Sequence, residues 1–243
     1  MLIVYGHRMY GRIEECAGSF IGTQFVHIWF LPLIPTGSSL VLGTNPDGSF
    51  RGIPIGMSGR SVLAGYMRVW GPITLLLSLG GLAVNLADAS DLAEGIATVL
   101  VFGFAVALTL GACILGWGIL GRLSRDEKQR RAIFAHYTGY HVDPTEMRDA
   151  RHAIRDHLLG QIVARAQGMA GMGYRLPADP VNHWPTLAMD PSVGDPELLG
   201  AAYTLARVDA SLAQGQYKQY METTQVALWE RLRRMPGPWV AAA

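Results

Sequence analysis

Cysteine and histidine are the residues of this chain best suited to chemistry, because thiolates and imidazoles bind metals and imidazoles also transfer protons. His7, Cys16 and His27 lie near the amino terminus, at irregular spacing. A structural zinc ion needs a closed set of four ligands, so we expect no metal here. The other cysteine, Cys113, lies inside an apolar run, and no disulfide framework is predicted.

Four further histidines occur at positions 136, 141, 152 and 157. His152 and His157 are five residues apart, so on a helix they diverge by about 140°. Only His152 and Asp156 have the four-residue spacing that brings side chains together. We expect these histidines to lie on solvated helix faces. Serine-hydrolase, zinc-protease and dinucleotide-binding motifs are also absent, so the sequence predicts neither an enzyme nor a cofactor.

Residues 54–61 contain glycines shortly before a predicted helix start, as a phosphate-binding loop does. Pro54 occupies the first glycine position of that motif and Arg60 its lysine position, so the stretch does not match. Backbone N–H groups at a helix start could still hold an anion. Lipid head-group contact is one prediction and simple helix capping the other; the contact residues would be Ser58, Gly59, Arg60, Arg122 and Arg125.

A long apolar stretch dominates the middle of the chain and must position these residues. No Lys, Arg or His occurs between Arg68 and Arg122, and the only charges are Asp88, Asp91 and Glu94. Mean hydropathy is +0.21 with 16% charged residues, which is apolar for a soluble protein. The pattern predicts a linking helix over residues 58–69 and a transmembrane hairpin over 70–121. Its two spans, 70–87 and 95–121, are long enough to cross a bilayer.

The charges beside the two spans predict their orientation. Arg60 and Arg68 precede the first span, and five cations follow the second. The connector between the spans, roughly residues 88–94, contains no cation. By the positive-inside rule both termini should be cytoplasmic, in a multi-pass protein of the inner (plasma) membrane. Trp70 and Trp117 would lie at the same membrane interface. The alternative is a pair of buried helices in a soluble core.

Small residues recur at four-residue spacing along the second span. Gly103, Ala107 and Gly111 share one face, and Ala112 and Gly116 lie on a neighbouring face. Small side chains let helices approach closely in lipid. This pattern predicts packing either within the hairpin or between copies of the chain.

Residues 1–57 predict a small antiparallel β module of about five strands, at residues 1–5, 9–14, 20–31, 40–42 and 50–55. Turns are expected at Gly6-His7 and Asp47-Gly48, and Pro32 and Pro35 should end the long apolar run. The expected core consists of Phe25, Ile28, Phe30 and Leu33.

The apolar, proline-ended stretch from Phe25 to Pro35 resembles a strand of small bacterial zinc-ribbon-type membrane-associated proteins. Their paired Cys-x-x-Cys ligands have no counterpart here, since Cys16 is the only cysteine in the region. The resemblance therefore implies a related β module that has lost its metal.

Residues 122–243 predict an all-α cytoplasmic module. A basic helix follows the second span, and Asp143-Pro144 should start a helix to about Gln167 that buries Ile154, Leu158, Ile162 and Val163. An ordered loop packed by Tyr174, Trp184 and Leu187 should cover residues 168–196. Helices at 197–214 and 216–235 resemble a single tetratricopeptide-type hairpin, which needs neighbours to cover its apolar face.

The formal net charge of +1 gives no reason to expect a nucleic-acid partner. The sequence predicts a membrane-anchored structural, scaffold or accessory subunit that presents cytoplasmic protein-binding surfaces. Its expected partners are membrane lipid and either further copies of itself or the subunits of a larger complex. Two alternatives are a homo-oligomeric channel or transporter accessory formed by the hairpin, and a membrane-bound enzyme acting on lipid.

Overall fold

The computed structural model describes residues 5–46, 49–171 and 179–239. It divides into two compact units, one ending at Leu123 and the other beginning at Ser124. The first unit contains a β-sheet and two long apolar helices, and the second contains only helices.

The sheet of the first unit is an antiparallel meander with strand order β1-β2-β3-β4. Its strands are β1 (Tyr5–Cys16), β2 (Ser19–Ile28), β3 (Leu31–Thr44) and β4 (Phe50–Ile55). The antiparallel sheet is confirmed, but the described part of the chain has four strands where five were predicted. β1 and β2 are joined by Ala17 and Gly18, both at positive φ, as a two-residue hairpin turn requires.

Two predicted boundaries in the sheet are wrong. Gly6-His7 does not form a turn, because both residues lie inside β1 and pair with β2. The predicted strand over residues 20–31 is interrupted, since the chain reverses at Trp29 and Phe30 between β2 and β3. The predicted turn at Asp47-Gly48, and most of the predicted strand over residues 1–5, lie outside the described residues.

Pro32 and Pro35 lie within β3 rather than after the end of a strand. Both prolines lie opposite β2 at positions where the register between β2 and β3 is irregular. On its other side, β3 pairs with β4 only from Ser38 onward. Proline is tolerated in a strand at a bulge or a free edge, where no partner needs its missing N–H. Residues 31–37 of β3 are therefore free of β4.

The core of the sheet differs from the predicted one. Phe25 is fully buried, but Ile28, Phe30 and Leu33 are 45%, 55% and 38% exposed. Because the chain turns at Trp29, these three residues lie at the end of the sheet. The buried apolar residues instead come from the middle of the strands and from the helix that packs on them: Ile13, Phe20, Ile21, Phe25, Leu40, Val41 and Ala64.

The two apolar helices follow the sheet. Helix α1 (Gly59–Asp88) runs without interruption through the predicted linking helix and the first predicted span, with Pro72 inside it. Helix α2 (Leu92–Ile114) continues into a π-helical turn, Leu115–Ile119. Both are long and apolar enough to cross a membrane, and only 6% of the most apolar window of each is buried. Their surfaces are therefore apolar and uncovered.

The second unit is a helical bundle. Its helices are α3 (Arg125–Thr138), α4 (Arg151–Gly171), α5 (Trp184–Met189), α6 (Pro196–Leu212) and α7 (Gly215–Leu232). The predicted helix from Asp143 begins later, because short 3₁₀ turns at Pro144–Glu146 and Arg148–Ala150 precede α4. Helix α5 lies inside the region predicted to be a loop.

Helix α6 is the centre of this bundle and is buried on nearly every side from Leu198 to Ala210. The α6–α7 pair is covered by the earlier helices, mainly α4. Leu158 and Ile162 of α4 are buried as predicted, whereas Ile154 and Val163 are only partly covered. Trp184 and Leu187 are buried, and Tyr174 lies outside the described residues.

Candidate functional site

Helices α1 and α2 approach each other at three glycines, of which the sequence analysis singled out only Gly116. A Cβ added to Gly71 would lie 3.0 Å from the sulfur of Cys113, and one added to Gly81 would lie 2.4 Å from the ring of Phe102. Gly116 is buried, and an added Cβ would lie 2.9 Å from the Cβ of Met67. Close packing of the hairpin therefore depends on Gly71, Gly81 and Gly116. No spacing in the sequence distinguished Gly71 and Gly81 from the other glycines of the two helices.

The face formed by Gly103, Ala107 and Gly111 is open in the single chain. A Cβ added to Gly111 would meet nothing within 4 Å, and one added to Gly103 would meet only Val99 of the same helix. Ala107 is exposed, and Ala112 is partly covered. This face is available to another helix or to lipid.

Arg68 connects the two helices where they leave the sheet. Its Nε–H donates to the carbonyl oxygen of Gly116 at 2.7 Å, and its Nη2 donates to that of Leu120 at 3.3 Å. Its Nη1 donates to the carbonyl oxygen of Arg12 in β1. The guanidinium thereby satisfies carbonyl groups at the end of a helix, which have no partner within the helix. Sequence reasoning used Arg68 only as a topology signal.

The two predicted interface tryptophans have different surroundings. Trp70 is partly buried, and its Nε1–H donates to the carbonyl oxygen of Pro32 in β3 at 3.2 Å. Trp117 is 65% exposed, and the guanidinium carbon of Arg68 lies 5.6 Å from its ring centroid. Both indoles lie at the end of the hairpin that joins the sheet.

The start of α1 is closed by capping rather than left open. The hydroxyl of Ser58 accepts a hydrogen bond from the backbone N–H of Ser61, and the N–H of Ser58 donates to the hydroxyl of Ser38. Arg60 is exposed and pairs with Glu14 at 3.2 Å. A Cβ added to Gly59 would meet nothing within 4 Å. The geometry explains Ser58 as a cap without any bound anion.

The remaining predicted head-group residues are both exposed to solvent, Arg122 at the end of the first unit and Arg125 at the start of the second.

A pocket of about 450 Å³ lies between the sheet and the end of the helical hairpin. Phe20, Phe50 and Trp117 give it apolar walls, and Arg12 and Arg68 add positive charge. The guanidinium of Arg12 lies 4.3 Å from the ring centroid of Phe20 and pairs with Glu15. Among the residues that the structure describes, Arg68 has no carboxylate within ion-pair distance.

Cys16 and His27, two of the residues considered as metal ligands in the amino-terminal module, lie far apart in the sheet. Cys16 pairs with Ser19 at one end of the sheet, whereas His27 pairs with Gly6 near the other end. At about 3.4 Å per strand residue the two ends are roughly 30 Å apart. Within the described ranges, no group of three or more His, Cys, Asp or Glu side chains could hold a metal ion.

The second unit contains a set of ionisable side chains that sequence reasoning missed. His136, Tyr137, Arg165 and Glu197 line a pocket of about 480 Å³. The hydroxyl of Tyr137 donates to the carbonyl oxygen of Glu197 at 2.8 Å, and burial together with the Glu197 carboxylate raises the pKa of Tyr137. The phenol is therefore held protonated. The Asp195-Pro196 helix start was the available signal.

These side chains connect helices rather than expose a reactive group. Arg165 of α4 pairs with Asp195 at 2.5 Å, while the carboxylate of Asp195 accepts from the N–H of Glu197 as the cap of α6. His136 lies 3.3 Å from the carboxylate of Glu197. No cysteine or serine lines this pocket.

His141, His152 and His157 do not line this pocket. His157 contacts Gln161 of the same helix, and His152 is exposed. Burial and the charge of Arg131 lower the pKa of His141. Among the described residues, these histidines belong to no group of three or more side chains that could hold a metal ion.

Comparisons of the chain with protein-family models, with curated proteins and with solved structures found no match.

Proposed function

We propose that this chain is an integral membrane protein in which α1 and α2 form a transmembrane hairpin. The observation that carries the proposal is that both helices are long, apolar and uncovered. Buried core helices of a soluble protein would be covered by neighbours, but the windows concerned are only 6% buried. In water such a surface would cost roughly 25 cal/mol per Å² of exposed apolar area. A bilayer removes that cost.

The charge pattern supports one orientation. No Lys, Arg or His occurs between Arg68 and Arg122, and the connector contains only acidic charges. The connector is short and ends in a helix cap. The backbone N–H of Glu94 donates to the carboxylate of Asp91, and the carboxylate of Glu94 accepts from the backbone N–H of Ser90. The β module and the helical bundle would then both lie in the cytoplasm.

Within that topology we propose a structural, scaffold or accessory role. Several of the described ionisable residues are engaged in capping and in ion pairs between elements, such as Arg165 with Asp195 and Arg207 with Asp143. This use favours modules that hold a shape over modules that react. The cytoplasmic surfaces would serve to bind other proteins.

A homo-oligomer formed through the hairpin is the second candidate. The open face of Gly103, Ala107 and Gly111 favours it, since small residues at four-residue spacing are typical of helix contacts in lipid. Ser78, Asn85, Thr98 and Thr109 are the polar side chains that such an assembly could use to line a path.

Cysteine labelling in intact cells tests the topology. In a background without Cys16 and Cys113, a cysteine replacing Ser90 should react with a membrane-impermeant thiol reagent, whereas one replacing exposed Glu222 should not. Reaction at position 222 without permeabilisation would refute the orientation. Release of the whole protein by alkaline carbonate would refute membrane insertion.

Sizing of the detergent-extracted protein, with identification of any copurifying chains, separates the two roles. Additional chains in a defined ratio support a subunit or scaffold role, and a large complex of this chain alone supports the homo-oligomer. A lone monomer would contradict both.

A further inference from the structure

The reversal between β2 and β3 exposes a group of large apolar side chains at one end of the sheet. We call Ile28, Trp29, Phe30, Leu33 and Ile34 the β2–β3 tip. Their exposed fractions run from 38% for Leu33 to 62% for Ile34. Lys, Arg, Asp and Glu are all absent from residues 16–46, so no formal charge accompanies the tip on these two strands.

Aromatic side chains of α1 and β1 donate hydrogen bonds to backbone carbonyl groups in and beside the tip. The hydroxyl of Tyr66 donates to the carbonyl oxygen of Leu33 at 2.5 Å, and the indole N–H of Trp70 donates to that of Pro32 at 3.2 Å. The hydroxyl of Tyr10 in β1 donates to the carbonyl oxygen of Phe30 at 2.8 Å. The tip is therefore held beside the part of α1 where the uncharged run begins.

The register between β3 and α1 gives the direction in which the tip extends. Ser38 of β3 contacts Ser58 at the start of α1, whereas Pro32 contacts Trp70. Six strand residues at ~3.4 Å span ~20 Å, and twelve helix residues at ~1.5 Å span ~18 Å, so the two elements run side by side. Ile28 pairs with Leu31 and the chain reverses at Trp29 and Phe30, so the reversal lies about two strand residues past Pro32, ~7 Å beyond the level of Trp70.

The backbone at the tip is strained in a way that favours a role for its side chain. Trp29 has φ 57°, in the left-handed region that glycine and asparagine occupy at lower cost. A bulky aromatic residue at such a position is unfavourable for the turn itself. Strain of this kind commonly marks functional positions.

We propose that the β2–β3 tip inserts into the head-group and acyl-chain boundary of the bilayer that α1 crosses. This inference rests on the proposed membrane hairpin. A surface segment that binds membranes buries its apolar side chains about 5–10 Å into this boundary, which matches the reach of the tip past Trp70. Tryptophan and tyrosine are enriched at the same depth. The sheet is thereby a third point of membrane attachment, which fixes its orientation on the lipid surface.

Site-directed spin labelling of the full chain in proteoliposomes tests this. In a background with Cys16→Ser and Cys113→Ala, single cysteines replace Phe30 at the tip, Ala17 at the opposite end of the sheet, and Phe104 in α2. All three side chains are exposed, so the labels should not disturb the core. Collisions with oxygen, which is concentrated in lipid, and with a water-soluble nickel chelate report the depth of each label.

We expect the label at position 30 to collide with oxygen and to be protected from the nickel chelate, and the label at position 17 to show the reverse. The label at position 104 could lie in lipid while the labels at positions 30 and 17 are equally accessible to the nickel chelate. In that case the tip proposal is wrong and the membrane hairpin stands. If labels 30 and 104 both meet water, both proposals fall. Spin–spin broadening at position 30 that disappears on dilution with unlabelled chain would show that a second copy covers the tip, and would overturn lipid insertion.

Trp29→Asn separates insertion from folding. Asparagine tolerates the left-handed conformation, so the sheet should keep its thermal stability, while the label at position 30 should become several-fold more accessible to the nickel chelate. An unchanged depth in this variant would contradict the role given to Trp29. Leu63→Asn, at an exposed site on α1 outside the tip, is the matched control and should leave the depth of label 30 unchanged.

Discussion

The guanidinium of Arg68 in α1 donates to the carbonyl oxygen of Gly116 near the end of α2. Gly116 in turn packs against Met67, the neighbour of Arg68, at a distance that excludes a side chain. One turn of α1 thus supplies both a cap and a contact surface for the end of α2. The end of the helical hairpin is also attached to the sheet, because the N–H of Glu14 donates to the carbonyl oxygen of Gly121 at 3.0 Å.

Arg68→Ala should lower the stability of the first unit. The variant leaves the carbonyl groups of Gly116, Leu120 and Arg12 without their donor. A buried unsatisfied group costs ~1–3 kcal/mol, and Gly116 is buried. Thermal unfolding of the detergent-solubilised protein measures the effect. Arg60→Ala is the control, since Arg60 is 65% exposed in its pair with Glu14 and such pairs contribute ~0–1 kcal/mol. Equal effects of the two variants would contradict a capping role for Arg68.

Leucine substitutions should distinguish the two glycine faces of α2. Gly116→Leu should destabilise the hairpin, because its Cβ alone would lie 2.9 Å from that of Met67. Gly111→Leu should leave the folded monomer intact, because the space around Gly111 is open. Unfolding temperature and particle mass in detergent are the two measurements. A smaller particle with Gly111→Leu at unchanged unfolding temperature would assign this face to contacts between chains, and loss of the folded monomer would refute the prediction.

The sequence was informative where one periodicity or one charge pattern dominates. The absence of Lys, Arg and His between Arg68 and Arg122 predicted both apolar helices. The predicted break between the last two helices at position 215 was close, since α6 ends at Leu212 and α7 begins at Gly215 itself. It was misleading where a turn carries no turn residues. Trp29 and Phe30 form the reversal between β2 and β3, so the strand predicted over residues 20–31 was too long. The error also moved Ile28, Phe30 and Leu33 from the surface into the predicted core.

The contacts of the helical hairpin were harder to predict for a different reason. Glycines occur on several faces of α1 and α2, and sequence spacing gives no information on which face meets the partner helix. Of the closely packed Gly71, Gly81 and Gly116, only Gly116 was among the predicted packing residues, and the Gly103–Ala107–Gly111 pattern was more regular. Hydrogen bonds from Arg68 and Trp70 to backbone carbonyl groups leave no trace in the sequence, because any residue can supply the acceptor.

The amino-terminal module should fold without metal. Cys16→Ser should change the unfolding temperature little, because the core consists of apolar residues such as Ile21, Phe25 and Leu40. Burial of such side chains contributes ~1.5–3 kcal/mol each before chain entropy is subtracted. Elemental analysis of the purified protein should find no stoichiometric zinc. One zinc per chain, lost together with folding in the Cys16 variant, would instead support a metal site like that of zinc-ribbon proteins.

The last prediction concerns the ion pair between Arg155 of α4 and Asp209 of α6. The side chain of Asp209 is 3% exposed, and its carboxylate lies 2.7 Å from Arg155. Burial raises the pKa of Asp209, while the charge of Arg155 opposes that shift. Arg155→Ala should therefore raise the pKa further and leave a buried carboxylate without its cation. The cost at neutral pH should be about 2 kcal/mol, below the ~3–5 kcal/mol of a fully buried pair, because Arg155 is 36% exposed.

The pH dependence of that cost follows from proton linkage. Between the unfolded pKa of aspartate, ~3.9, and the raised pKa in the folded variant, the folded state binds more protons than the unfolded state. Stability then falls as pH rises through this window. We expect Arg155→Ala to lower the unfolding temperature more at pH 7.5 than at pH 5. Arg155→Ala combined with Asp209→Asn should remove the difference, since asparagine has no charge to bury. A cost of Arg155→Ala that is equal at both pH values would show that Asp209 keeps its charge without help from Arg155.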